Sequence, residues 1–127
     1  MRLIVDIDII IDHLRGGVIW ENILESINKD CEFYIATVVI PELFSGRSTI
    51  DDEVSIKILD FLQIFNEIDL NKDIAKKVGE LFRDINRNLG IADYIIAASA
   101  SVTGSTIITL NKKRFEQILR LIIYSFV

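Results

Sequence analysis

The sequence predicts an α/β fold: a mostly parallel sheet covered by helices on both faces. Three observations carry this. Short β-branched runs alternate with longer amphipathic stretches along the chain, the pattern of repeated βαβ units. The first run, residues 2–6, holds Leu3, Ile4 and Val5 in succession, as a strand buried on both faces requires. Only one Pro and six Gly occur in 127 residues, so long linkers are not expected and residues 1–127 read as a single domain.

The elements follow in order. Residues 2–6 are the first strand. A helix opens at Asp8 or a neighbour and runs to about Arg15, where Gly16-Gly17 stop it. A second helix covers 18–28, with Ile19, Ile23 and Ile27 at helical spacing. Residues 32–36 form the second strand. Thr37 is a natural N-cap, and Pro41 is tolerated only in a first turn, so the next helix carries Glu42 and ends at Gly46. Asp51, Asp52 and Glu53 put negative charge at the start of a helix over 51–63, as the macrodipole favours. A third strand covers 65–70. Asn71 caps a long helix over 71–89 that Gly90 closes. An Ala-rich helix follows over 93–102, opened by Ala92-Asp93 and ended by Gly104. A fourth strand over 106–110, a helix over 111–120 and a last strand over 121–126 complete the chain.

Composition excludes several chemistries. Half the residues are apolar and 26% are charged, which supports a folded core and argues against disorder. A net charge of −5 excludes a uniformly basic nucleic-acid coat but leaves room for a local basic rim. One cysteine, Cys31, rules out an intrachain disulfide framework and a Cys-rich zinc site. One histidine, His13, argues against His-rich zinc sites and Ser-His-Asp chemistry. Reactivity therefore falls to carboxylates. Asp6 arrives too early for a signal-peptide core, and no apolar run approaches the roughly 20 residues of a membrane span. The expectation is a cytoplasmic protein with no membrane partner.

Position sorts the acids. In open α/β sheets, sites lie beyond the carboxyl ends of the strands. Asp6 ends the first strand, and Asp8 follows it by two residues. Glu42 falls just after the second strand, Asp93 opens the helix leading into the fourth, and Asn111 follows that strand. Each sits in an apolar neighbourhood: LIVDIDIII, TVVIPELF, GIADYIIAA and TIITLN. Singly, each has an ordinary explanation as a cap, a turn or a solvated helix residue, and Asp12 reads as a surface or supporting residue. Burying several carboxylates together is costly, and a divalent cation offsets that cost. Mg²⁺ or Mn²⁺ binds through carboxylates and water and needs neither His nor Cys.

These segments resemble the PIN domain, and in particular its VapC-type toxins: Asp6 in LIVDIDIIIDHL, Glu42 in TVVIPELFSG, Asp93 in IADYIIAASA, and TLNKKRF. The resemblance spans essentially the whole chain, with the four motifs in order. It implies a three-layer α/β/α fold with a mostly parallel sheet of four or five strands, and a Mg²⁺- or Mn²⁺-dependent endoribonuclease. It also implies a common homodimeric state and neutralisation by a cognate antitoxin protein. By this resemblance Asp6, Glu42 and Asp93 are the catalytic acids and, with Asp8, the metal ligands; Asn111 matches the family's polar position after the fourth strand. Two departures stand out. Asp8 occupies a position that is usually Asn or Ser. Arg114 replaces a residue before Phe115 that is often acidic, so a fourth acid is missing from that segment.

An RNA substrate needs positive charge near the acids. Lys112, Lys113 and Arg114 adjoin Asn111 and are the expected RNA-binding set. Lys72, Lys76, Lys77, Arg83 and Arg87 lie on the long helix, where a solvated face is the simpler reading. Tyr94 and Phe115 read as core. Trp20, Phe33, Phe44, Phe61 and Phe65 supply apolar area for core or for a partner face. A response-regulator receiver domain lacks support because no Pro and Gly turn follows Asp69. A haloacid-dehalogenase phosphatase, suggested by Asp6-Ile-Asp8, needs a paired-acid motif that is absent after residue 93. A PIN-like module that binds RNA or a partner without cutting is the remaining alternative.

Overall fold

A computed structural model describes residues 1–27, 30–85, 89–118 and 124. Among the described residues the sheet has four strands: β1 (Arg2–Val5), β2 (Glu32–Ala36), β3 (Asn66–Ile68) and β4 (Thr106–Ile108). Their order is β3-β2-β1-β4, and every pairing is parallel. Ile4 stands opposite Tyr34 on one side and Ile107 on the other. Leu3, Ile4 and Val5 are all 0% exposed. Successive strand residues point to opposite faces, so both faces of β1 are covered. The chain leaves β1 toward β2 and β3, then crosses back to β4 on the other flank of β1. That reversal opens a crevice at the carboxyl ends of β1 and β4.

The helices among the described residues are α1 (Ile7–Leu14), α2 (Ile19–Ser26), α3 (Ile40–Phe44), α4 (Asp52–Leu62), α5 (Lys72–Ile85), α6 (Ile91–Thr103) and α7 (Lys112–Glu116). α5 packs along α6, and α1 along α2. Asp51 caps α4 by accepting from the Glu53 N–H, and Asn71 caps α5 by accepting from the Ile74 N–H, both at 2.9 Å. Gly104 ends α6 in the left-handed region at φ 66°, where a side chain would be strained. Trp20, Phe61 and Phe65 are buried against one another, with ring centroids 5.3–5.5 Å apart. Phe33 joins them at 4.9 Å from Trp20. These aromatics are therefore core, as are the fully buried Tyr94 and Phe115; the apolar residues that α4 exposes are Ile56 and Leu59.

Several boundaries differ from expectation for local reasons. Thr37 starts a 3-10 turn, Thr37–Val39, and caps no helix; its hydroxyl donates instead to the Ile68 carbonyl at 3.4 Å. A second 3-10 turn, Arg47–Ile50, separates α3 from α4. Phe65 stays with the end of α4, its N–H donating to the Leu62 carbonyl, so β3 begins at Asn66. Gly90 does not close α5; it is the extended N-cap of α6, which begins at Ile91 and puts Asp93 in its first turn. Asp12 supports α2, accepting from the Ile19 N–H at 3.3 Å, and its carboxylate lies where a Cβ on Gly17 would fall. β4 stops at Ile108 because Thr109 turns its hydroxyl into the crevice. The strand expected over 121–126 apart from Tyr124, the helix ends expected at residues 28 and 120, and residues 86–88 of the long helix, Arg87 among them, lie outside the described residues. The Tyr124 N–H donates to the Ile107 carbonyl at 2.8 Å. Among the described residues no helix is long and apolar enough to cross a membrane.

Candidate active site

The first strand delivers Asp6 to the crevice. Its N–H donates to the Ile108 carbonyl at 3.0 Å, which extends the β1–β4 pairing by one residue. Asp6 is also the N-cap of α1: Oδ1 accepts from the Ile7 N–H at 2.8 Å. Oδ2 accepts from the Thr109 hydroxyl at 2.7 Å, so both oxygens of a side chain that is 1% exposed are engaged. Asp8 lies in the first turn of α1. Its Oδ2 accepts from the Leu110 N–H at 3.2 Å and lies 3.3 Å from the Thr109 hydroxyl. Its Oδ1 is buried with no hydrogen-bond partner.

Glu42 reaches the same recess from α3, and Asp93 from α6. Asp6, Asp8, Glu42, Asp93 and Arg114 line it together with Ile11, Val39 and Ile96, around a volume of about 320 Å³. Asp93 is held on both oxygens. Oδ2 accepts from the Gly90 N–H at 3.3 Å, and Oδ1 pairs with Arg114 Nη1 at 3.2 Å. The four acids thus converge from β1–α1, α3 and α6. Among the described residues, however, no three His, Cys, Asp or Glu side chains already stand as a closed set that would hold a metal ion.

Electrostatics records the crowding. Burial, then the charge of Asp8, raises the Asp6 carboxyl to about 6, against lowering by the Thr109 hydroxyl and the Ile7 N–H; Asp93 adds a smaller upward push. Burial also raises the Asp8 carboxyl, while the Leu110 N–H, Thr109, the Ile9 N–H and the Arg114 charge oppose it. An excess of buried negative charge and an orphaned carboxylate oxygen fit a hard divalent cation. So does a donor set made of oxygen alone.

Not every expected residue enters the recess. Asn111 is exposed, and its contribution is a backbone N–H donated to Thr109 Oγ1 at 3.0 Å. Lys113 is exposed and Lys112 half-buried on α7, next to the recess. Arg114 turns inward to Asp93. On α5, Lys76 pairs with Glu80 and Arg83 with Asp84, which makes that face a solvated one. Two features escaped sequence reasoning. Thr109 is fully buried and ties Asp6 to the β4 end; its signal was a hydroxyl at the end of a buried strand, between Ile108 and Leu110. A groove of about 290 Å³ also adjoins the recess through Ile11 and Glu42, with Leu14, Leu43 and Ile58 along it and Arg15 and Lys57 on its edges.

The fold and the recess define a class: parallel α/β domains with acids gathered beyond the carboxyl ends of the central strands. The PIN domain family model matches residues 3–120, and the chain belongs to that family. Among its members the chain is similar to Ribonuclease VapC10 of Mycobacterium tuberculosis (strain ATCC 25618 / H37Rv). The two are 33% identical over 116 residues, which is 89% of this chain and 85% of the relative. Two crystal structures share the fold. VapBC2 from Rickettsia felis, bound to a promoter DNA fragment, matches at TM-score 0.83 and 23% identity, over 98% of each chain. DNA-bound VapBC from Salmonella typhimurium matches at TM-score 0.81 and 18% identity, over 100% of this chain and 99% of that one.

Proposed function

We propose that the protein is a divalent-metal-dependent endoribonuclease, the toxin of a toxin–antitoxin pair. The observation that carries this reading is the convergence of Asp6, Asp8, Glu42 and Asp93 on one recess at the carboxyl ends of β1 and β4. The 33% identity with a VapC ribonuclease supports the reaction class. The likeness of its fold to chains of VapBC assemblies agrees with a protein antitoxin as partner.

Each side chain has a distinct task. Asp6 and Asp8 would hold Mg²⁺ or Mn²⁺, with Glu42 completing the set directly or through water and Asp93 through water. Such an ion, when bound, supplies acidity to a water and positive charge to the phosphate. Thr109 keeps Asp6 ionised and aimed. Glu42 is the most exposed of the four acids and stands at the mouth, where it orients the attacking water and accepts its proton. Asn111 fixes the Thr109 hydroxyl from behind. Lys112 and Lys113 draw the RNA backbone toward the recess, and the groove edged by Arg15 and Lys57 continues the track past Glu42.

Cleavage of labelled single-stranded and structured RNAs tests the reading, with Mg²⁺, Mn²⁺ or EDTA. Cutting that requires the metal and disappears in Asp6→Asn and Asp93→Asn is the expected result. Folded wild-type protein that cuts none of a broad RNA panel with either metal would favour the non-cleaving RNA-binding module. The groove makes a separate prediction. Single-stranded RNA binding should lose about 0.7 in log–log salt slope for each phosphate contact removed. Arg15→Ala with Lys57→Ala should therefore flatten the slope by about 1.4. An unchanged slope would remove the groove from the RNA path.

A further inference from the structure

The two sides of the recess are unequal. On the Asp6–Asp8 side the carboxylates are hydrogen-bonded by neutral donors, and Asp8 Oδ1 is buried and has no partner. On the opposite side both Asp93 oxygens are taken, one by the Gly90 N–H and the other by the Arg114 guanidinium at 3.2 Å. Arg114 comes from α7, one turn past the Thr109–Asn111 segment that holds Asp6 and Asp8. It lines the recess itself, and its charge also acts on Asp8. Its side chain is 37% exposed and that of Asp93 only 14%, so the pair is partly shielded from water.

We propose that Arg114 occupies the place of a second metal ion: the recess takes one divalent ion on the Asp6–Asp8 side, and the guanidinium supplies the fixed positive charge on the Asp93 side. This rests on the metal-nuclease reading above. Four carboxylates facing one divalent ion and one guanidinium leave the recess with a single net negative charge. A second divalent ion would have to displace Arg114 from Asp93 and then stand beside it. Arginine stays protonated at any working pH and presents donors in a fixed fork, so the substitution is permanent.

The test is metal stoichiometry. Apoprotein is titrated with Mn²⁺, read by calorimetry and by the electron paramagnetic resonance of free Mn²⁺. Wild type is compared with Arg114→Lys, Arg114→Gln and Arg114→Asp, with thermal melts confirming that each is folded. One ion per chain is expected for wild type and Arg114→Lys. A second ion is expected in Arg114→Gln, which frees Asp93, and a tighter second ion in Arg114→Asp. Should one substitution fail to fold, the other still decides. Two ions in wild type, or one ion in every folded variant, would overturn the proposal and leave the nuclease reading standing. No ion in any folded protein would remove the metal-nuclease reading itself.

Discussion

Asp6→Asn should stabilise the metal-free protein at neutral pH while abolishing cleavage. The Asp6 carboxyl has a pKa of about 6 in the folded chain, against 3.8 for an ordinary aspartate. A raised folded value means that the native state holds its proton more tightly than the unfolded chain. Stability therefore falls as pH rises from about 4 to about 6, and the full penalty applies above pH 6. A shift of this size corresponds to about 3 kcal/mol. Asparagine keeps the cap to the Ile7 N–H and removes the charge that crowds Asp8. The Thr109 hydroxyl is then released to Asp8 Oδ2, which lies 3.3 Å away. Urea unfolding in EDTA should show the variant about 1–3 kcal/mol more stable at pH 7.5, with the difference gone by about pH 4. Added Mn²⁺ should stabilise wild type and do far less for the variant. A variant less stable than wild type at pH 7.5 would contradict the idea that function keeps this carboxylate at a cost.

Thr109→Val is expected to act in the opposite direction. The hydroxyl donates to Asp6 Oδ2 at 2.7 Å and accepts from the Asn111 N–H at 3.0 Å, at a position 0% exposed. Valine matches the shape and strands both partners, one of them charged. Leaving them unsatisfied costs about 2–3 kcal/mol. The Thr109 bond lowers the Asp6 carboxyl, so its loss pushes that group further up. The acid limb of the pH–rate profile should move to higher pH. Mn²⁺ affinity should fall by about 10- to 100-fold, as for other partners that orient metal-binding groups. Thr109→Ser keeps the hydroxyl and should restore both. A valine variant with wild-type metal affinity and pH profile would reduce Thr109 to a packing residue.

Much of this was legible in the residues. Consecutive Leu3, Ile4 and Val5 marked a central strand because burial on both faces leaves no polar alternation. The acids could be placed because each ends or follows a strand in an apolar setting, where an unpaired carboxylate is costly. What stayed hidden was long-range. Nothing local shows that Thr109 faces Asp6 across 103 positions, since the contact exists only once β4 pairs with β1. Arg114 was visible as an oddity, but its direction was not: a guanidinium beside acids can face solvent, substrate or carboxylate, and packing of α7 decides. Gly90 misled for a simpler reason. Glycine serves either end of a helix, and here its extended conformation opens α6 where a left-handed one would have closed α5.

The pairing of β1 with β4 has a consequence for the protein's birth. During synthesis β1 must wait for β4, which follows it by about a hundred residues, before its second edge is covered. Parallel contacts of such long separation form slowly. At about 5–20 residues per second, a chain of 127 residues takes roughly 6–25 s to make. Until Thr109, Leu110 and Arg114 emerge, Asp6 and Asp8 lack their anchors and Asp93 its counter-charge. On the proposed function, a chain lacking these residues is expected not to cut RNA.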